Sequence, residues 1–202
     1  MKRIVLASAN AGKIREFSQL LAEWHIEMIP QSQWATPDVA ETGLSFVENA
    51  LIKARHAAEH TKLPAIADDS GIEVDALDGA PGIYSARFAG QGATDEQNLL
   101  LLLDKLKKVP DDQRTARYHC VIVYMHHPHD PMPLICQGTW EGRILRESRG
   151  HYGFGYDPIF HVPTHHCTSA ELLPEVKNQL SHRGQALQAL QTAFNADPRN
   201  QA

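Results

Sequence analysis

Absences narrow the field before any motif is read. The chain has no basic excess: 19 Lys and Arg stand against 24 Asp and Glu, for a formal net charge of −5. A nucleic-acid-binding surface normally carries such an excess, so nucleic acid is not expected as a partner. Cysteine is scarce. Cys120, Cys136 and Cys167 are an odd set with no Cys-x-x-Cys, which argues against a disulfide framework and fits a reduced, cytoplasmic compartment. No apolar stretch approaches the roughly 18 residues of a membrane span. After Met1-Lys2-Arg3 only a short apolar run follows, so no secretory leader is expected. Internal repeats and low-complexity tracts are also missing. What is present is 202 residues with 43% hydrophobic content, enough for one sizeable core or one domain with two lobes, residues 1–202.

Against that background two adjacent carboxylates stand out. Ala67-Asp-Asp-Ser-Gly71 follows an apolar run, Leu63 to Ala67, and precedes an alternating one, Ile72 to Leu77. Carboxylates buried without partners are costly, and a strand turns neighbouring side chains to opposite faces. A regular strand here requires at least one of Asp68 and Asp69 to meet a cation. That cation is either a Lys or Arg, or a metal such as Mg²⁺, which prefers oxygen ligands. A surface turn is the open alternative, because Asp, Ser and Gly are turn formers.

Arg3 to Ser8 reads as a buried first strand, after which the period changes. Ile14, Phe17, Leu20, Leu21 and Trp24 recur at helical spacing. The intervening Ser8-Ala9-Asn10-Ala11-Gly12-Lys13 is then a strand-to-helix turn, where backbone N–H groups favour an anion and Lys13 adds a charge. It is not a Walker A loop, since Ala7 and Ile14 stand where that motif needs Gly and Ser or Thr. An ordinary Asn/Gly turn with a solvated lysine stays open. Ile26 to Ile29 reads as a second strand. Further on, Ser45-x-x-Glu48 predicts a capped helix start, with Phe46, Val47, Ala50, Leu51, Ala54, Ala57 and Ala58 as its apolar stripe. Asn49, Lys53, His56 and His60 share another face, and on local grounds Lys53 reads as solvated. Glu41 lies just before this helix.

Thr94-x-x-Gln97 opens a Leu-rich helix, and Arg117 to Met125, Leu134 to Trp140 and Gly142 to Arg146 read as strands. His126-His-Pro-His-Asp130 and His165-His-Cys167 contain metal-ligating residue types, but on loops of this kind they seldom converge tetrahedrally, so solvated loops are expected. Gly153-Phe-Gly-Tyr-Asp-Pro158 begins like a dinucleotide fingerprint, yet Pro158 replaces its third Gly. Phe154 or Tyr156 could stack on a base; a core aromatic at a strand entry is the alternative. Ser181-His-Arg-Gly184 opens the last helix. A cation is disfavoured at a helix N-terminus, so Arg183 there implies an anion beside it.

These features form a cationic group (the Ser8–Lys13 turn, Lys53, Lys177 and Arg183) and an acidic group (Glu41, Asp68 and Asp69). Such a set suits a metal–nucleoside-triphosphate complex: cations neutralise phosphate oxygens, carboxylates hold Mg²⁺, and one carboxylate activates water. Six motifs in order carry a resemblance over almost the whole chain. They are Ser8–Lys13, Glu41–Asn49, Ala67–Gly71, Gly79–Arg87, Gly153–Pro158 and Ser181–Gly184. The chain resembles the inosine triphosphate pyrophosphatase family, the non-standard purine NTP pyrophosphatases.

The resemblance implies a two-lobed α/β fold with a long mixed β-sheet flanked by helices, a cleft between lobes, and a homodimer. It implies Mg²⁺-dependent hydrolysis of ITP, dITP and XTP to the monophosphate and pyrophosphate. Carried over by position, Ser8, Ala9, Asn10, Ala11, Gly12, Lys13 and Lys177 would hold phosphates. Glu41 and Asp69 would hold Mg²⁺, with Asp69 as proton acceptor, and Ser70 would touch substrate. Phe154, Gly155, Tyr156 and Asp157, with His182 and Arg183, would form the base pocket. A metal-bound carboxylate is a poor base, so Asp69 either works through a metal-bound water or shares the task with Asp68. The chain departs from the pattern where relatives often place Glu directly before the phosphate-site lysine; here Val176 precedes Lys177. The rival readings are a nucleotide-binding module of the same fold without catalysis, and an NTPase or phosphatase releasing orthophosphate.

Overall fold

The computed structural model describes residues 2–8, 10–21, 24, 26–34, 36–37 and 39–200. Ala9 and the side chains of Ala11 and Leu20 lie outside the described residues. In chain order the elements are β1 (Lys2–Leu6), α1 (Ala11–Leu21), β2 (Ile26–Pro30), α2 (Phe46–Thr61), β3 (Ala65–Val74), α3 (Asp95–Leu106), β4 (Thr115–Met125), β5 (Leu134–Ile144), β6 (Phe160–Val162), β7 (Cys167–Thr168), α4 (Pro174–Leu180) and α5 (His182–Ala196). The strands form a seven-stranded mixed sheet in the order β2-β1-β3-β4-β5-β6-β7. β1 is parallel to β2 and β3, whereas β5–β6 and β6–β7 are antiparallel. The chain divides into two compact units. Unit 1 is 1–69, 120–138 and 183–202; unit 2 is 70–119 and 139–182.

In unit 1 the period of two along each strand sorts side chains onto two cores. Ile4, Leu6, Ile66, Cys120, Ile122 and Tyr124 join Phe17 and Leu21 of α1 and Ala186, Leu187, Leu190 and Phe194 of α5. The alternate residues Val5, Ala7, Ala65, Ala67, Val121, Val123 and Met125 join Ala50, Ala54, Ala57 and Ala58 of α2. The helix start at Ser45 is capped as its sequence predicts. Ser45 Oγ accepts from the Glu48 amide, and Glu48 Oε2 accepts from Ser45 Oγ and the Leu44 amide.

Unit 2 has one core. Ile72, Val74, Tyr118, Trp140 and Ile144 from the strands pack with Leu99, Leu102 and Leu106 of α3 and with Tyr156, Ile159 and Phe160. The alternate strand residues build a polar ladder: Arg117 pairs with Asp75 at 2.7 Å and Glu141 at 3.0 Å, and His119 lies 3.2 Å from Glu73. Thr94 and Gln97 form the expected reciprocal cap of α3.

Of the two readings left open for Asp68 and Asp69, the strand holds and the turn does not: Asp68-Asp69-Ser70-Gly71 continues the strand from Ala65 to Val74. Turn propensity loses here because both carboxylates find cations without leaving the ladder.

Candidate functional site

The parity of β3 determines what each carboxylate meets. Asp68 shares parity with Ile66 and enters the α1/α5 side; Asp69 shares parity with Ala67 and enters the α2 side. On the first side, Lys13 Nζ lies 2.9 Å from Asp68 Oδ2, and Arg183 Nη2 lies 3.1 Å from the same oxygen. The other end of the Arg183 guanidinium pairs with Glu16. On the second side, Lys53 Nζ lies 2.7 Å from Asp69 Oδ1 and 2.9 Å from Glu41 Oε1. Asn49 Nδ2 donates a long bond, 3.4 Å, to Asp69 Oδ2.

The two environments drive neighbouring carboxylates apart in acidity. Burial alone would raise Asp68, but Lys13, Arg183 and Lys53 outweigh it and hold its carboxyl far below the usual carboxylate range. Burial also raises Asp69; Lys53 and Lys13 offset it only in part and Glu41 adds to it, so the balance stays upward. For Lys53, burial favours the neutral amine, yet the charges of Asp69, Asp68 and Glu41 prevail and the ammonium is stabilised. One carboxylate is therefore locked as an anion, while its neighbour is the better proton acceptor.

The turn before α1 is built by Asn10. Its Oδ1 accepts from the Lys13 amide at 3.0 Å, and Ser8 Oγ accepts from the Asn10 amide at 3.2 Å. Asn10 thus caps α1 and fixes where Lys13 leaves the helix. Gly12 is buried and Lys13 half-buried. The anion that the position of Arg183 requires is supplied by the protein itself, as Asp68 and Glu16.

Unit 2 holds the aromatic loop. Asp157 organises it: Oδ2 accepts from the Phe154 amide at 2.9 Å and Lys177 Nζ at 2.7 Å, and Oδ1 from Ser169 Oγ at 2.9 Å. Lys177 is 5% exposed and its ammonium also lies 5.2 Å from the Phe154 ring centroid. Tyr156 is a core aromatic whose hydroxyl donates to the Ser85 carbonyl at 2.8 Å; Phe154 is half-buried. Gly155 N donates to Asp95 Oδ2 at 2.9 Å. Gly153 has φ +78°, and a Cβ there would stand 2.1 Å from Asp157 Oδ2. Gly153→Ala is therefore expected to displace the Asp157 carboxylate and cost about 1–3 kcal/mol of stability, the scale of a side chain forced into left-handed backbone, which denaturant unfolding beside the wild type checks. His182 is buried against Tyr118, and Ser70 is half-buried at the first position of unit 2 on β3.

Of the sequence-derived candidates, unit 1 gathers Lys13 and Arg183 around Asp68 on one side of β3, and Glu41 and Asp69 around Lys53 on the other. Unit 2 gathers Phe154, Asp157 and Lys177. Lys53, read locally as solvated, has only 14% of its side chain exposed and bridges two carboxylates. Glu16, Asn49, Ser85, Asp95 and Ser169 support these groups without being legible as site residues. Glu16 and Asn49 carry a local signal, since Glu16 lies one turn beyond Lys13 on α1 and Asn49 one turn before Lys53 on α2.

The donors suit a magnesium ion in kind. Glu41 and Asp69 share one cation and supply the hard oxygens that magnesium prefers. Asp68 Oδ1 is buried with no hydrogen-bond partner among the described residues. No group of three His, Cys, Asp or Glu stands ready to hold a metal among them. Two carboxylates completed by substrate phosphates are nonetheless a usual way to bind magnesium.

The model of the Ham1 family matches residues 4–193. A protein of Vibrio parahaemolyticus named dITP/XTP pyrophosphatase is 59% identical over 97% of this chain and 98% of its own length. One of Photorhabdus laumondii with the same name is 56% identical over 97% and 100%. Among solved structures, a HAM1 protein from Coxiella burnetii superposes with a TM-score of 0.90 at 53% identity, covering 98% of this chain and 100% of that one. The Staphylococcus aureus Ham1 protein gives 0.85 at 42% identity, covering 96% and 99%.

Proposed function

Because the chain belongs to the Ham1 family, it hydrolyses deaminated purine nucleoside triphosphates such as dITP and XTP, and we propose how its residues share that work. The observation that carries the assignment is the parity split of Asp68 and Asp69 onto separate sets of cations. Asp69 accepts the proton of the attacking water by way of a second bound water, since a carboxylate that also held a metal would be a poor direct base. Asp68 remains ionised and holds Lys13 and Arg183 in place. Lys13 and the turn at Ser8–Asn10 neutralise phosphate oxygens, which a cation beside a helix start is suited to do.

Glu41 and Asp69 are the groups that would hold Mg²⁺. When bound it would neutralise triphosphate charge and lower the pKa of a coordinated water. Lys53 keeps those two carboxylates from repelling each other before substrate arrives. The Gly153–Asp157 loop and His182 face the base. Phe154 offers the flat surface and Tyr156 anchors the loop in the core. A pocket of N–H donors around His182 accepts the 6-oxo group of hypoxanthine and xanthine. Adenine, with an amino group at that position, would leave a buried donor unpaired, a mismatch that discriminates strongly. The proposal includes a cytoplasmic homodimer, for which sedimentation should report about twice the 22.5 kDa chain mass.

The deciding experiment is an NTP panel with and without Mg²⁺ in which pyrophosphate and orthophosphate are measured separately. Pyrophosphate from dITP and XTP, abolished by a chelator, is the expected result. Orthophosphate release would favour a different NTPase, and tight binding without turnover would favour a non-catalytic module.

A further inference from the structure

We propose that Tyr118 is a positioning residue for base selection, its ring setting the plane in which the His182 imidazole meets the purine. The inference rests on the reading of His182 as a base-pocket residue. Tyr118 projects from β4 into the unit 2 core and is 7% exposed; His182 is 5% exposed. Their rings are parallel within 7°, with centroids 4.6 Å apart. Trp140 continues the layer, 20° from the imidazole plane and 25° from the phenol plane, at 6.5 Å from each. Phe160 closes on the Tyr118 ring at 4.6 Å and 55°, which holds the phenol in turn.

The second torsion of a histidine side chain is intrinsically broad, because it joins an sp³ to an sp² centre. The side chain alone therefore does not fix which way its ring nitrogens point. A flat ring lying against one face fixes the plane in which they lie. Rotating the imidazole about Cβ–Cγ would drive its edge into the phenol and lose the stacked contact. A polar group that must match one exocyclic atom of a purine depends on that orientation, since a misdirected donor in a dry pocket leaves a polar group unpaired.

The test joins steady-state kinetics to NMR of the full chain. Tyr118→Leu and Tyr118→Met keep apolar bulk and lose the flat face, while Tyr118→Phe keeps the face. The first two are expected to raise KM for dITP roughly 3–10-fold, the scale of one aromatic stack, with kcat within about twofold. The preference for dITP over dATP falls by the same factor. Tyr118→Phe restores both values to near wild type. The imidazole C–H signals of His182 carry a ring-current displacement in the wild type and in Tyr118→Phe that the Leu and Met variants lack.

Unchanged KM and preference in a folded Leu or Met variant overturns the proposal, as does a wild-type His182 signal without that displacement. The wild-type spectrum and the Phe variant decide the matter even where a core variant does not fold. His182→Asn separates the two levels of inference. If it changes neither KM nor preference, the base-pocket reading fails. If it changes both while the Tyr118 variants change neither, only the positioning role fails.

Discussion

Asp69→Asn is expected to lower kcat by roughly 10²–10⁴, the scale of a lost general base, with KM for dITP changed by no more than a few fold. That loss corresponds to about 3–5 kcal/mol of transition-state stabilisation. The substitution is a clean one for a structural reason. Lys53 keeps Glu41 as its partner at 2.9 Å when Asp69 loses its charge, so no ammonium is orphaned. The amide that replaces the carboxylate retains the shape of the side chain and an oxygen for the long contact from Asn49. Asp68→Asn is the control. It removes the charge that Lys13 and Arg183 share, so it should weaken the fold as well as the reaction. If Asp69→Asn stays within threefold of wild type while Asp68→Asn abolishes turnover, the two roles are reversed and the burial argument for Asp69 is wrong.

What is readable in the sequence, and what is not, follows the range of the interactions. Helix starts at Ser45 and Thr94 depend on residues three apart and are legible. The partition of strand residues between two cores follows from alternation alone. The pairing of Asp69 with Lys53 spans 16 positions, and that of Asp68 with Arg183 spans 115; no local rule reaches so far. This is why Lys53 looks solvated and why a tetrapeptide rich in turn formers is strand. The aromatic loop is half legible. Its glycines mark an unusual backbone, but that Tyr156 is the core anchor and Phe154 the more exposed ring depends on Ser85, 71 residues away. Tyr118 carries no signal at all, because an alternating strand residue in a core is the ordinary case.

The same long-range pairing makes Arg183 the position where a substitution should cost the fold most. Its side chain is 3% exposed and lies against two carboxylates, Glu16 and Asp68. Burial disfavours its charge, but Asp68 and Glu16 reverse that balance and hold the guanidinium firmly protonated. Arg183→Met fills much of the same space and leaves both carboxylates without their shared cation; Lys13 still faces Asp68, whereas Glu16 loses the guanidinium. Removing one partner from a buried ion pair costs roughly 3–5 kcal/mol. For a chain of 202 residues each kcal/mol moves Tm by about 2–4 °C, so a fall of roughly 6–20 °C is expected. Arg183→Lys should recover only part of it, because a point-like ammonium does not span two carboxylates as a planar guanidinium does. A double variant, Glu16→Gln with Arg183→Met, should be more stable than the sum of the single losses, since it removes one of the charges that the arginine neutralises. Calorimetry of these variants beside the wild type checks this. A Tm for Arg183→Met within about 2 °C of wild type, a shift worth no more than about 1 kcal/mol, would mean that the carboxylates relax to solvent without the arginine. It would then be the sheet and helices alone, and not this triad, that hold Asp68 beside Asp69.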